Sequence, residues 1–250
     1  MKYLLNSVIM FIITGSITHA QIVTDRPDQT ESSSTIESGS LQIESGVLIT
    51  FTEDDFSSQS QLLAPTNLFR YGLLKGIEIR VLSQFESVKD QMSSKKVTGI
   101  SDLEIGTKIQ IFKKESVNTE IAFISHLVLP TGSKILSNKK FGSISKLSMS
   151  HQITNNLGLG YNVGYNYFGS GKGDLTYSLA LGIGVTNTFS FYLEPFGSIL
   201  DIESLEANFD AGITYLIKDN CQLDFSFGTG INNTMNYLSL GFSINIAKSN

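Results

Sequence analysis

Apolar and polar residues alternate along most of this chain. In 157–167, Leu, Tyr and Val occupy every odd position, while Gly and Asn occupy every even position. Because successive side chains of a β-strand point to opposite faces, this alternation predicts a strand with one apolar, aromatic face and one small, polar face.

The same period of two recurs from residue 41 to the end of the chain. It is clean in eight segments, 41–51, 76–85, 101–112, 157–168, 175–185, 208–217, 222–230 and 237–246, and less regular in four, 61–71, 120–129, 143–153 and 189–199. We therefore predict about twelve strands.

The connections between these strands alternate in length. Short ones are 72–76, 113–118, 155–156, 187–188 and 218–220, and longer polar ones are 52–60, 88–98, 130–142, 169–174, 201–207 and 231–236. An even number of antiparallel strands with short turns at one end is typical of outer-membrane barrels. In lipid such a sheet must close, since no backbone group can stay unpaired there. The pattern predicts an all-β fold, a closed antiparallel transmembrane β-barrel formed by residues 41–250, with both termini in the periplasm.

A soluble β-sandwich or barrel would show the same alternation with its apolar face inside. Its exposed face would then carry many Lys, Glu and Thr residues, whereas the polar face here is mainly Gly, Ser and Asn. Charged residues make up 16% of the chain, below the roughly 25% of an ordinary soluble domain. Both observations favour the membrane barrel.

The first twenty residues have the composition of a secretory signal peptide. Lys2 precedes an apolar run over 4–13, and the small residues Thr18 and Ala20 fit a cleavage site after Ala20. The alternative, a membrane anchor, needs roughly 20 apolar residues, more than this run provides. We predict a signal peptide at 1–20, a periplasmic segment at 21–40 and a mature protein in the outer membrane.

The composition excludes several partners. The net charge of −5 provides no basic surface for nucleic acid. Cys221 is the only cysteine, so no intramolecular disulfide can form. The expected partners are outer-membrane lipid, a small-molecule solute and the barrel-assembly machinery, without a cofactor. Many such barrels end on an aromatic residue, and the ending "FSINIAKSN" departs from that pattern.

Charged residues occur at positions of the strands that face away from the apolar side. They could set the selectivity of a pore, or they could pair with each other and fill the barrel. The candidates for lining the lumen are Glu44, Arg70, Glu78, Arg80, Asp102, Glu104, Lys108, Glu194, Asp210 and Asp224.

Enzymatic and metal-binding interpretations have weak support. A Ser–His pair would suit an outer-membrane lipase, but Ser125–His126 and Ser150–His151 are adjacent on strands and point to opposite faces. The carboxylates at 53–55 lack the spacing and glycine of a calcium loop, and "GSGKGD" at 169–174 lacks P-loop spacing. We predict neither enzyme activity nor a metal site.

Several motifs, in order along the chain, resemble a family of outer-membrane transporters labelled as a phenol meta-cleavage-pathway family. They are "TDRPDQTE" with "QIESG" (24–46), "LFRYGLLKGIEIRV" (68–81), "GISDLEIGTKIQIF" (99–112), "LVLPTG" (127–132), "NNLGLGYNVGY" (155–165), "FYLEPFG" (191–197) and "NFDAGITYLI" (208–217). The resemblance implies a barrel that passes small, hydrophobic or aromatic molecules. The alternative is a non-conducting barrel with a structural or surface-interaction role.

The stretch before the first strand is unusually rich in charge. It contains Asp25, Arg26, Pro27 and Asp28, and Pro27 favours an extended or turning chain. We predict that residues 24–34 pack into or across the periplasmic mouth of the barrel, with Arg26 helping to bind them there.

Overall fold

The computed structural model describes residues 22–54 and 57–248, so the predicted signal peptide lies outside the described residues. Within them the chain forms thirteen strands and one turn of 3-10 helix, Glu115–Val117. The strands are β1 (Leu41–Asp54), β2 (Ser57–Leu74), β3 (Ile77–Asp90), β4 (Lys96–Ile100), β5 (Leu103–Lys114), β6 (Thr119–Leu129), β7 (Gly142–Thr154), β8 (Leu157–Tyr167), β9 (Asp174–Gly184), β10 (Phe189–Leu200), β11 (Ser204–Lys218), β12 (Cys221–Gly230) and β13 (Thr234–Ile246).

The sheet closes on itself because β1 pairs with β2 on one side and with β13 on the other. The remaining neighbours follow chain order, and every pairing is antiparallel. Both β4 and β5 pair with β3, so they are two parts of one strand interrupted at Ser101 and Asp102. The structure is a closed antiparallel barrel of twelve strands, and the predicted fold is confirmed.

Four of the six connections predicted to be long are partly strand. The first hairpin remains paired out to Asp54 and Ser57, and only residues 201–203 and 231–233 separate the strands of two others. Polar residues just outside the alternating segments also form backbone hydrogen bonds between neighbouring strands, so these strands are longer than predicted. The connections at 130–141 and 168–173 keep about their predicted lengths, and the other four are shorter than predicted.

The two faces of the wall have opposite chemistry. Large apolar side chains such as Phe51, Leu240 and Phe227 are 50%, 61% and 48% exposed on the outside. Charged side chains such as Arg70 and Glu194 are 0% exposed on the inside. A soluble protein shows the reverse arrangement, whereas a barrel in lipid requires this one.

No helix among the described residues is both long enough and apolar enough to cross a membrane.

One end of the barrel, called here the terminal rim, contains the start of β1, the end of β13 and the turns at 155–156 and 219–220. The chain enters the barrel at this rim, where the backbone N–H of Ile22 donates to the Asp219 carbonyl at 2.9 Å. It returns to the rim before β1, where the N–H of Gly39 donates to the Gly72 carbonyl at 2.7 Å. Most of the residues between these contacts, 22–36, therefore lie inside the barrel, and Glu37 and Ser38 are exposed.

Candidate functional site

Residues 22–36, called here the lumenal segment, pass through the interior of the barrel without forming helix or strand. The segment bonds to opposite sides of the wall: Arg26 contacts β12 and β13, while Glu31 contacts β7 and β8. It was predicted to lie in or across the mouth, and the structure places it within the lumen, adjoining the terminal rim.

Three cations from neighbouring strands surround Asp25. The Asp25 Oδ2 atom lies 2.6 Å from Arg80 Nη1 and 3.3 Å from Arg70 Nη1, and its Oδ1 lies 2.9 Å from Lys108 Nζ. All four side chains are almost fully buried. We call Arg70, Arg80 and Lys108 the cationic cluster; it holds the segment by charge-assisted hydrogen bonds, which are the strong ones.

Arg70 connects the wall to both ends of the lumenal segment. Its guanidinium donates to Glu44 and Glu78 of the wall, each at 2.9 Å, and to the Ser34 carbonyl at 2.9 Å. Arg70 lies directly opposite Arg80 on the adjacent strand. Like charges directly opposite each other are destabilising. The Glu78 and Asp25 carboxylates between the two guanidiniums offset that repulsion.

Glu31 binds the segment on the other side of the lumen. Its carboxylate lies 2.5 Å from Arg80 Nη2 and 2.8 Å from Lys146 Nζ. Its backbone N–H donates to Asn162 at 2.8 Å, and its carbonyl accepts from Ser148 at 2.6 Å. Backbone and side chain are thus both bound, which fixes the height of the segment in the barrel.

Arg26 reaches the opposite wall through a gap between two glycines. Its Nη2 lies 3.0 Å from Asp224 Oδ1 and donates to Ser239 at 2.8 Å. A Cβ atom at Gly46 or Gly241 would lie 2.5 Å from a guanidinium nitrogen, too close for any side chain there. These glycines make room for Arg26.

A group of carboxylates lies where the segment crosses β10 and β11. The Glu194 carboxylate accepts from the Gln29 N–H at 2.7 Å and from the Thr30 hydroxyl at 2.5 Å. Directly opposite Glu194 is Asp210, which accepts from the Tyr237 hydroxyl. Together with Asp28, these residues form what we call the acidic cluster. Among the described residues, no Lys, Arg or His forms an ion pair with any of its three members.

The carboxyl groups of the lumenal segment have opposite pKa shifts. Burial alone would raise the pKa of Asp25, but the charges of Arg70, Lys108 and Arg80 outweigh it and hold the pKa well below its ordinary value. Burial alone would also raise the pKa of Glu31, but the charges of Lys146 and Arg80 outweigh it and lower that pKa. Burial and then the charge of Glu194 raise the pKa of Asp28 well above its ordinary value.

These shifts predict how pH changes the insertion of the segment. Asp25 and Glu31 stabilise insertion above their ordinary pKa of roughly 4, and this contribution is lost on acidification below it. Asp28, facing Glu194, Asp210 and Asp25, opposes insertion increasingly as pH rises above that value. We expect Asp28→Asn to strengthen insertion at neutral pH. Asp25→Asn should weaken insertion there and remove the part of the loss on acidification that comes from Asp25, leaving the part that comes from Glu31.

Labelling of a buried cysteine would measure this. Ser33 is 1% exposed and its hydroxyl lies 2.6 Å from that of Ser150, so Ser33→Cys reports release of the segment. In a Cys221→Ser background, the rate of modification by a membrane-impermeant thiol reagent should fall with Asp28→Asn and rise with Asp25→Asn at neutral pH. Equal rates in both variants would contradict the assignment.

The ten candidates from the sequence have different placements. Asp102 does not reach the lumenal segment: its carboxylate accepts from the backbone N–H of Gly132 and Asn138, and so binds the 130–141 loop where β4 and β5 separate. Glu104 is half-buried and pairs with His126 at 2.8 Å. The other eight are buried inside the barrel: Glu44, Arg70, Glu78, Arg80, Lys108, Glu194, Asp210 and Asp224.

Some residues of the site were not identified from the sequence. Lys146 alternates in phase with Ser148 and Ser150 in the irregular segment 143–153, and that phase was the available signal. Tyr192 and Tyr237 belong to the inner face, although most tyrosines in the alternating segments face outward. These residues are identified by their position in the alternation of the strand, which points them inward, and not by their residue type.

The two histidines have structural partners. Arg80 Nε donates to His126 Nε2 at 2.9 Å, so the His126 Nδ1–H donates to Glu104. His151 contacts Thr119 and Tyr161. The adjacent serines bond elsewhere, Ser125 to Ser145 and Ser150 to Ser33. In the described part of the chain, no group of His, Cys, Asp and Glu has an arrangement that would hold a metal ion.

Two cavities border the lumenal segment. One of about 480 Å³ lies between the segment and the wall of β6 to β10, and reaches Asp28 and Tyr192. A second of about 630 Å³ lies at the terminal rim beside Ile22 and Ile36. The segment therefore leaves part of the lumen empty.

The family model described as "Putative MetA-pathway of phenol degradation" matches residues 24–247. The chain belongs to this family. The match begins at Thr24, so the pattern of the phenol-degradation family includes the lumenal segment as well as the barrel. The resemblance stated from the sequence motifs is confirmed.

Two solved structures have a similar fold. An outer membrane channel from Pseudomonas putida F1 superposes with a TM-score of 0.69 at 13% identity, covering 85% of this chain and 97% of that chain. A KdgM porin in complex with disordered oligogalacturonate gives 0.56 at 12% identity, covering 81% and 98%. At these identities the likeness establishes a shared outer-membrane barrel fold. No curated protein sequence matches the chain.

Proposed function

We propose that this member of the phenol-degradation family is an outer-membrane channel for passive passage of small solutes, and that the lumenal segment restricts its lumen. The observation that carries the proposal is that the barrel encloses a second stretch of chain, residues 22–36, and still leaves a cavity of about 480 Å³. Barrels of eight strands are filled by their own side chains. A lumen that accommodates a chain segment has room for a solute when that segment moves.

The charges inside the barrel favour cationic and neutral solutes. Eight carboxylates, Asp25, Asp28, Glu31, Glu44, Glu78, Glu194, Asp210 and Asp224, accompany five basic groups, Arg26, Arg70, Arg80, Lys108 and Lys146. Rings of acidic side chains favour cations in channels. Because the family description names phenol degradation, phenol and other small aromatic or hydrophobic molecules are also solutes to test.

Swelling of liposomes would test passage. Liposomes containing the purified mature chain should swell in small neutral solutes, at rates that fall as solute size increases. Protein-free liposomes and liposomes with heat-denatured protein are the controls. Phenol crosses bilayers without a channel, so its uptake must be measured against the protein-free rate.

The second candidate is a non-conducting barrel with a structural or surface role. The observation that favours it is the density of buried ion pairs between wall and segment, which would hold the lumen closed. Absence of swelling in every solute, for both the intact chain and a chain lacking residues 22–34, would support this candidate and reject the channel.

A further inference from the structure

Part of the wall of the 480 Å³ cavity has almost no side chains. On the inner face, Gly158 lies opposite Gly182 and Gly160 lies opposite Ala180, two adjacent cross-strand pairs of β8 and β9. These positions remove the bulk that would otherwise meet the lumenal segment. A cavity of this size is far larger than a bare ion requires, and the glycine backbone and the Ala180 methyl make this part of its wall uncharged. Lys113, Lys114 and Glu120 line another part of the cavity.

One carboxylate in this cavity has no cationic partner. Asp28 lines the cavity, and no side chain of the described residues hydrogen-bonds or pairs with it. The other acidic residues lining the cavity are paired, Glu31 with Lys146 and Glu120 with Lys113. Asp28 is half-buried, and a carboxylate partly removed from bulk water is costly unless a proton or a cation neutralises it.

A second residue of the lining carries an unpartnered polar atom. Tyr192 lines the cavity and is 6% exposed, and its hydroxyl has no hydrogen-bond partner among the described residues. Buried polar groups are nearly always hydrogen-bonded, so this hydroxyl indicates an absent partner. The Tyr192 hydroxyl, independent of the charge of Asp28, favours a ligand that donates hydrogen bonds.

We propose that this cavity binds a small primary amine in its ammonium form, with the ammonium group at the Asp28 carboxylate and the Tyr192 hydroxyl and the carbon chain along the Gly158–Gly182 and Gly160–Ala180 wall. An ammonium has three donors and a positive charge, which the two oxygen sites require. Glu194 of the acidic cluster accepts hydrogen bonds from Gln29 and Thr30, the two residues that follow Asp28. Its carboxylate is therefore close to Asp28 and adds to the attraction for a cation. The site deepens the proposed function by naming a solute class.

Calorimetric titration of the detergent-solubilised mature chain with n-butylamine at pH 7 would test the site. n-Butanol has the same chain without the charge, and butyrate carries the opposite charge. We expect n-butylamine to bind and the other two to bind at least about tenfold more weakly, since a hydrogen bond to a charged group is worth roughly 1.5–3 kcal/mol.

Three variants locate the site. Asp28→Asn should weaken n-butylamine binding by about tenfold or more, and Tyr192→Phe should weaken it by less. Glu86→Gln is the matched control, because Glu86 is an acid in the opposite half of the barrel that already bonds Gln61 and Ser101. Its binding should equal that of the unaltered chain. Far-ultraviolet circular dichroism would confirm that each variant keeps its sheet content.

The proposal would be overturned by equal affinity for n-butanol and n-butylamine, or by binding that survives Asp28→Asn in a folded protein. Absence of any n-butylamine binding would overturn it too, and would mean that a proton alone neutralises Asp28. Calorimetry does not depend on conductance. If the barrel conducts but does not bind n-butylamine, only the amine site is rejected. If it binds n-butylamine but does not conduct, only the channel function is rejected.

Discussion

Removal of residues 22–34 is expected to raise the conductance of the barrel in planar bilayers several-fold. The deletion takes away the lumenal segment's contacts with both sides of the wall, and with them Asp25, Arg26, Asp28 and Glu31. Water then fills the interior. Since β1 begins at Leu41 and pairs with β2 and β13, the twelve-stranded wall keeps all its strand pairings.

The deletion should also change selectivity. It exposes the cationic cluster on β2, β3 and β5 to water, and it exposes Glu194 and Asp210 on β10 and β11. The widened lumen therefore has a positive wall facing a negative wall, and the ratio of cation to anion permeability should move toward one. Reversal potentials in a salt gradient measure this ratio, and they should respond to salt concentration because exposed charges are screened.

A matched control separates loss of contacts from loss of length. Replacing 24–34 by Gly and Ser residues keeps the chain length but removes every charged contact of the segment, and it should conduct nearly as well as the deletion. If both variants conduct like the intact chain, the lumenal segment does not obstruct the lumen. If only the deletion conducts more, the bulk of the segment matters and its charges do not.

The sequence predicted the wall well because a strand's inner and outer faces follow from a period of two. Outer residues such as Phe51 and Leu240, and inner residues such as Arg70 and Glu78, lie on the faces that alternation assigned. The ends of the strands were less predictable. Outside the bilayer, polar residues occur in paired strands as readily as in loops. The alternation of apolar and polar residues therefore does not show where β1 and β2 end.

The contacts of the lumenal segment were not predictable from the sequence. Arg26 pairs with Asp224, a partner 198 positions away, and that proximity depends on barrel closure and on the room that Gly46 and Gly241 provide. The charge-rich sequence predicted a segment in or across the mouth, yet it did not show that Asp25 would meet three cations. Asp102 shows the converse: its alternation phase suggested the lumen, but the interruption of the strand directs it to a loop.

Replacement of Arg70 by alanine is expected to destabilise the barrel and release the lumenal segment together. Arg70 is 0% exposed and contacts Glu44, Glu78 and Asp25. Its loss leaves these carboxylates short of a partner in the interior, and removing one member of a buried ion pair costs about 3–5 kcal/mol. The lost Ser34 contact frees the returning part of the segment as well.

Thermal unfolding in detergent and conductance in bilayers should therefore both change in Arg70→Ala. Arg70→Lys keeps the charge but lacks the planar fork that bonds several acceptors at once, so its melting temperature and conductance should lie between those of Arg70→Ala and the intact chain. Lys172→Ala is the matched control, because Lys172 pairs with Glu203 at the surface, where both side chains are more than half exposed. Exposed pairs contribute little, so neither measurement should change.

The two measurements separate two roles for the charges inside the barrel. A lower melting temperature with unchanged conductance would mean that Arg70 only stabilises the wall, as a structural network would. Higher conductance together with lower stability would mean that the ion pairs which stabilise the barrel also keep its lumen restricted. The second result is expected, because the same guanidinium bonds Glu44 and Glu78 of the wall and both Asp25 and Ser34 of the segment.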